Sequence, residues 1–311
     1  MVVFLFFVDY NYSRVNLINK NMEDNYMENK NIVLLRHHPM NVKFTNAFYT
    51  NQLPNIEDYI LIDVSSRVVR NKEFMKEHPT FCKDLSPLIM GPITSNDGVV
   101  AHTLEQLYQC SKVYPGQFDQ NGNLVVKFVD DNGDPTPEYF KWRNEMFTKV
   151  KVSKREARHP NLLLNCKHSD TLYFLHYNMD KGTYEKLNFI ESRKKFYVPT
   201  YAKYVVKTDS YKWLKSLVDS GKKIALVDFD AFNYYSDEAK TRIYNSYINK
   251  CKKNGWTPKY TLNDYLSITN MNQFYDSSFI STGHASVLKM LLEADIEVVN
   301  DKIVDHIGVL K

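Results

Sequence analysis

Hydrophobic and polar positions recur with two different periods along this chain, and the change from one period to the other marks its elements. Short apolar runs of strand length stand at 32–35 and 59–64, joined by a polar stretch containing Pro54. Residues 81–93 read as extended, broken by Pro87 and Pro92, and lead to the tight-turn signature Asn96-Asp97-Gly98. A helix is expected from about 104, capped by Thr103 and ended before the breaker pair Pro115-Gly116. Two turn signals, QNGN and DDNGDP, flank LVVKFV and predict a surface hairpin or inserted strand within 117–135. An amphipathic helix is expected over 137–150, with Tyr139, Trp142, Met146 and Phe147 on its apolar side. Two more are expected over 184–197 and, beyond Pro199, over 201–218. The run IALVDF within 223–229 suits a buried strand. A Tyr- and Asn-rich excursion then covers 233–279, and the last helix, ASVLKMLLEA, follows Ser281-Thr282-Gly283-His284 with Ser281 or Thr282 as its cap.

These elements predict an α+β fold: a single, mainly helical domain over 31–311 with one small β-sheet drawn from the runs at 32–35, 59–64, 85–93 and 223–229. Insertions are expected near 117–180 and 233–279. Residues 1–30 read as a poorly ordered leader, and Met22 and Met27 within it suggest that the first twenty or so are an upstream extension. The opening MVVFLFFV lacks a basic flank and falls far short of the ~20 residues a bilayer span needs, so no membrane association is expected.

Composition narrows the class. Hydrophobic residues make up 43% and charged residues 24% of 311, enough for a sizeable core and too apolar for wholesale disorder. The net charge of +4, from 40 basic and 36 acidic residues, is too slight for a nucleic-acid coat, and no stable nucleic-acid binding is expected. Four cysteines, at 82, 110, 166 and 251, form no CxxC pair, which favours a reducing compartment. The expected address is cytoplasmic, the host cytoplasm for a viral protein; the 22 Tyr and 18 Phe with abundant Asn and Lys fit an AT-rich genome, viral or microbial. Oligomeric state leaves no mark on the sequence.

Candidate chemistry centres on EQLYQCSK, residues 105–112. Seven residues is almost two helical turns, so Glu105 and Lys112 project from one helix face, with Tyr108 and Gln109 between them. Periodicity alone reads such a face as solvated, while acid, amide, phenol and amine together could also bind and hydrolyse a sugar–base linkage. Asp228 and Asp230 leave the C-terminal edge of the buried strand, where α/β enzymes place reactive groups. A strand followed by DxD also resembles haloacid-dehalogenase-type phosphatases, although no acidic pair follows downstream; turn-capping is the structural alternative. Gly283 and His284 at a helix start could receive phosphate, or could simply form a cap. Arg193, near Tyr197, could clamp phosphate and ribose or form a surface ion pair. The basic run KVSKREARHP, 151–160, reads as a solvated face with phosphate contact as the alternative. His37-His38 lacks a third ligand nearby and no metal site is expected.

Several of these pieces together resemble one family. LSPLIMGPI, a following Asp-Gly turn and the E-x-x-Y-Q-x-x-K helix are similar to the core of the NADAR family, the YbiA-like N-glycosidases. LIDVSS, EQLYQCSK, ESRKKFYVPTYAKYV, IALVDFDAF and STGHASVLKMLL match, in order, the motifs of a related uncharacterised bacterial and viral group. The resemblance runs from about Tyr59 to Leu292. It implies a hydrolase of the C1′–N bond in a ribosyl or ADP-ribosyl compound, with no cofactor. Glu105 would take the family's acidic catalytic position and Lys112 its helix lysine; Asp228, Asp230 and His284 would be pocket residues. The sequence departs from the family in Pro87, where Asn is usual, in Gln106, where His is common, and in lacking a Trp-Gly pair after Asp230. A silent reader of ADP-ribose or NAD, a phosphatase, and a viral structural or interaction protein remain as alternatives.

Overall fold

The computed structural model describes residues 31–36, 52–53, 55–65, 82–150 and 152–311. The expected leader and the His37-His38 pair lie outside the described residues. At the centre is a parallel sheet of three strands, β1 (Ile32–Arg36), β2 (Ile60–Asp63) and, between them, β10 (Ile224–Asp228). Ile224 pairs with both Ile32 and Ile60. Every residue of β10 is buried, which is why its sequence is a continuous apolar run rather than an alternating one. The two-residue side-chain period splits the sheet between two cores. Ile32, Leu34, Ile62, Ile224 and Leu226 join the main core. Val33, Leu35, Ala225 and Val227 meet Leu53, Ile56 and Tyr59 on the other face.

The helices are α1 (Leu104–Cys110), α2 (Pro137–Thr148), α3 (Lys154–Arg158), α4 (Val198–Val205), α5 (Asp209–Asp219), α6 (Asp237–Asn254), α7 (Leu262–Leu266), α8 (Met271–Asp276) and α9 (His284–Leu292). All nine residues of α9 are buried, and it packs on β1, β10 and α4. Its one lysine is tolerated there because Lys289 Nζ donates to Ile32 O at 2.9 Å and pairs with Glu293.

The fold is α+β, and three of the four expected runs form one sheet, but it lacks the fourth and is not the only sheet among the described residues. The segment near 85–93 stays out of the parallel sheet: residues 83–85 make a 3₁₀ turn, and only Ile93–Thr94 (β3) is a strand, paired with Val100–Ala101 (β4). Pro87 and Pro92 cannot donate to a ladder, which accounts for the break. A second three-stranded sheet, antiparallel, joins β5 (Lys112–Val113), β8 (Tyr173–Asn178) and β9 (Thr183–Leu187). The hairpin expected within 117–135 is present as β6 (Gly116–Phe118) and β7 (Leu124–Lys127), and a last hairpin pairs β11 (Ile296–Val299) with β12 (Lys302–Asp305).

The helix expected over 184–197 begins late, because its first residues belong to β9. Asn188 caps the start, accepting from Ile190 N at 2.9 Å and Glu191 N at 3.0 Å. The backbone then widens into a π-turn over Ser192–Tyr197 and continues into α4 through Pro199. Pro199, expected to separate two helices, instead follows directly on the π-turn near the start of α4 without breaking the helical path. The separation falls later, before Thr208, the cap of α5. The excursion 233–279 is folded as α6, α7 and α8. Its aromatic residues form the packing, with Tyr265 5.5 Å from Tyr244 and 4.8 Å from Phe279 between ring centres. Among the described residues no helix is long and apolar enough to cross a membrane.

Candidate active site

Glu105, Tyr108, Gln109, Lys112, Arg193, Asp228, Asp230, Gly283 and His284 all line one cavity of about 390 Å³. It lies where β10 ends at Asp228, the edge at which parallel sheets receive ligands. The sequence-derived set is therefore brought together. The roles of its members differ from expectation in several places.

α1 is fixed at its start. Thr103 Oγ1 accepts from Gln106 N at 3.2 Å. The buried Gln106 amide donates to Met146 O at 2.9 Å and Lys149 O at 2.8 Å, tying α1 to the end of α2. The helix stops at Cys110, so Lys112 is not on it, as the spacing argument assumed, but on β5. The two charges still meet, through Gln109. Gln109 Nε2 donates to Glu105 Oε1 at 3.2 Å, and Lys112 Nζ donates to Gln109 Oε1 at 2.5 Å. Lys112 Nζ also lies 3.1 Å from His168 Nε2. Glu105 is 8% exposed and Lys112 5%, so the solvated-face expectation is overturned. Both faces of α1 are covered, a circumstance periodicity cannot reveal.

Burial sets the protonation of this group. It pushes the Glu105 carboxyl up, against the opposing pull of Arg158, the Gln109 donor, Lys112 and His284. It brings the Lys112 ammonium down to about 8, with Glu105 acting the other way. His168 falls to about 4, by burial and then by the Lys112 charge, so it is a neutral acceptor for Lys112. An amine in this range has a free lone pair for part of the time near neutrality.

An aromatic wall adjoins the acid and amine. The Tyr108 ring stacks on Phe174 with 5.0 Å between centres and lies 4.9 Å from Tyr197. Burial pushes its phenol to about 12, and the hydroxyl pairs with Ser192 Oγ at 3.0 Å. The π-turn turns both Arg193 and Tyr197 to the cavity. Arg193 is not the free phosphate clamp expected. Its Nη1 donates to Ile280 O at 3.2 Å and Thr282 Oγ1 at 3.4 Å, and Nη2 donates to Ser277 O. The guanidinium lies 4.4 Å from the Phe189 ring centre. It fastens the 277–282 loop to the cavity wall.

On the opposite wall, Asp228 Oδ1 accepts from Phe229 N at 2.8 Å. Asp228 Oδ2 is buried, makes no hydrogen bond, and lies 3.4 Å from His284 Nδ1. His284 Nε2 meets the Val64 carbonyl, which can only accept, so the proton sits on Nε2 and the Nδ1 lone pair faces Asp228 in the neutral ring. Burial, reinforced by Asp230, raises the Asp228 carboxyl well above its ordinary range, and burial lowers His284. Both directions favour an uncharged pair. Gly283 caps α9 with no side-chain bond, so neither Ser281 nor Thr282 is the cap. A Cβ at Gly283 would stand 2.5 Å from Asp228 Oδ2 and 2.9 Å from Asp230 Cβ, so this position is glycine for close approach. Among the described residues no group of three His, Cys, Asp or Glu side chains is arranged to hold a metal.

Sequence reasoning did not single out His168 or Phe174, and it read Arg158 and His159 only as part of a basic run; all four line the cavity. A second cavity, of about 260 Å³, touches the other side of α1. It holds the buried Arg143–Asp97 ion pair at 2.5 Å and none of the candidate residues. No family model, curated protein or solved structure matches the chain.

Proposed function

We propose that the protein is a hydrolase that cleaves an N-glycosidic bond in a ribosyl or ADP-ribosyl nucleotide derivative, in the manner of the NADAR-like N-glycosidases its motifs resemble. One observation carries this reading: a buried carboxyl and a buried amine, linked through Gln109, face one cavity beside an aromatic wall. Glu105 activates water, or protonates the leaving base, at an oxocarbenium-like ribose C1′. Its raised carboxyl strengthens either role near neutral pH. Lys112 holds charge developing on the leaving group or traps the sugar as an imine, and its lowered ammonium suits the second course. Tyr108 and Gln109 orient the sugar, and Asp228, Asp230, Gly283 and His284 form the facing wall. No cofactor takes part in this scheme.

The test is release of free base from ADP-ribosylated nucleobases, followed by chromatography on purified protein. Glu105→Gln should lower turnover by ~10²–10⁴-fold, the usual worth of general acid–base help. Wild-type turnover in that variant would overturn the assignment. Binding of ADP-ribose by the wild type with no product would point instead to a non-catalytic reader.

A further inference from the structure

Three cationic side chains stand on the cavity wall: Lys112, Arg158 and Arg193. Two are committed. Lys112 donates to Gln109 and His168, and both terminal nitrogens of Arg193 serve the 277–282 loop. Arg158 is different. It is half-buried at the last position of α3, and among the described residues its side chain makes no hydrogen bond and no ion pair. The start of α3 is held by a reciprocal cap, with Glu156 N donating to Ser153 Oγ at 3.2 Å and Ser153 N to Glu156 Oε2 at 2.9 Å. Arg158 is thus presented on an ordered turn with its whole fork of donors unused.

The nearby carboxylates do not take it. Glu105 accepts from Gln109, Asp228 accepts from Phe229, and neither forms an ion pair with Arg158. Its charge nevertheless reaches Glu105, Asp228 and His284 across the cavity. A guanidinium left open in this way matches two oxygens of a phosphate at once.

We infer that Arg158 is the anion-binding residue of this cavity, and that the substrate is phosphorylated close to the sugar that lies over Glu105 and Lys112. Arg158 and Glu105 stand on helices that pack together, α3 and α1, and line the same cavity, which supports a phosphate on that same ribose rather than a distant one. This deepens the reading above and rests on it for the ribosyl portion only.

The test uses the full chain and three probes: ADP-ribose, ribose 5-phosphate and ribose, with affinity read by calorimetry and thermal shift. Wild type should bind the two phosphorylated probes in a salt-sensitive way and bind ribose at least tenfold more weakly. Arg158→Ala should lose at least tenfold in affinity for both phosphorylated probes, Arg158→Lys should regain part of it, and circular dichroism should show both variants folded. Wild-type affinity in Arg158→Ala overturns the inference while leaving the glycosidase reading intact. Arg158-dependent binding in a protein that releases no base sustains the anion site and removes the glycosidase. A wild type that binds none of the phosphorylated probes overturns both.

Discussion

Lys112 shows what a single buried amine does to the behaviour of the chain. Its ammonium falls from 10.5 to about 8 on burial. Between those values the unfolded chain holds more protons than the folded one, so this residue adds stability as pH rises through the window and costs stability below it. The span corresponds to roughly 3 kcal/mol at most. Urea unfolding of wild type and Lys112→Met should therefore give a difference that shifts in favour of wild type from pH 8 to pH 10.5. A difference independent of pH would show that the amine is not desolvated. In the proposed reaction, borohydride trapping of an imine should rise over the lower part of the same range. Glu105 and Lys112 were visible in the sequence as a pair at near-helical spacing. Their burial was not, because it comes from neighbours such as α2, α3 and β8 that lie far along the chain. Arg193 was legible as a cavity residue and misread in role, since the carbonyls that occupy it come from residues 277–280.

At the scale of elements, the readable features were those with local causes. Thr103 was legible as a cap because the cap bond is made within three residues. Thr103→Ala should cost ~1 kcal/mol in urea unfolding, or somewhat more because Gln106 Oε1 also loses the Thr103 hydroxyl at 3.0 Å. A loss below a few tenths would mean that Gln106 and its bonds to α2 hold α1 alone. The π-turn at Ser192–Tyr197 left no local trace, as the same residues suit an ordinary helix equally well. Only the competition for cavity and core positions between Arg193, Phe196 and Tyr197 distinguishes the two. Strand β9 was overlooked for a related reason: it stands at the edge of its sheet, is mostly solvent-facing, and offers one buried residue, Leu187.

For the whole molecule, the α+β class follows from apolar runs that alternate in period, and β10 was recognisable because a strand buried on both faces has little else it can be. The partition into several small sheets was not recognisable. Register between strands separated by more than 150 residues, as for Ile62 and Leu226, is decided by packing that no local pattern encodes.

The Arg193 clamp ties together parts of the chain that lie far apart in sequence. One guanidinium, set on Phe189 and reaching to Ser277, Ile280 and Thr282, laces the far end of the 233–279 excursion to the helix that carries Tyr197. Denaturant that loosens the excursion should also open the cavity. Arg193→Met should uncouple them: amide hydrogen exchange at 277–282 should quicken by tenfold or more while β10 keeps its protection. Unchanged exchange there would mean that tyrosine packing, not the cation, governs when the chamber opens.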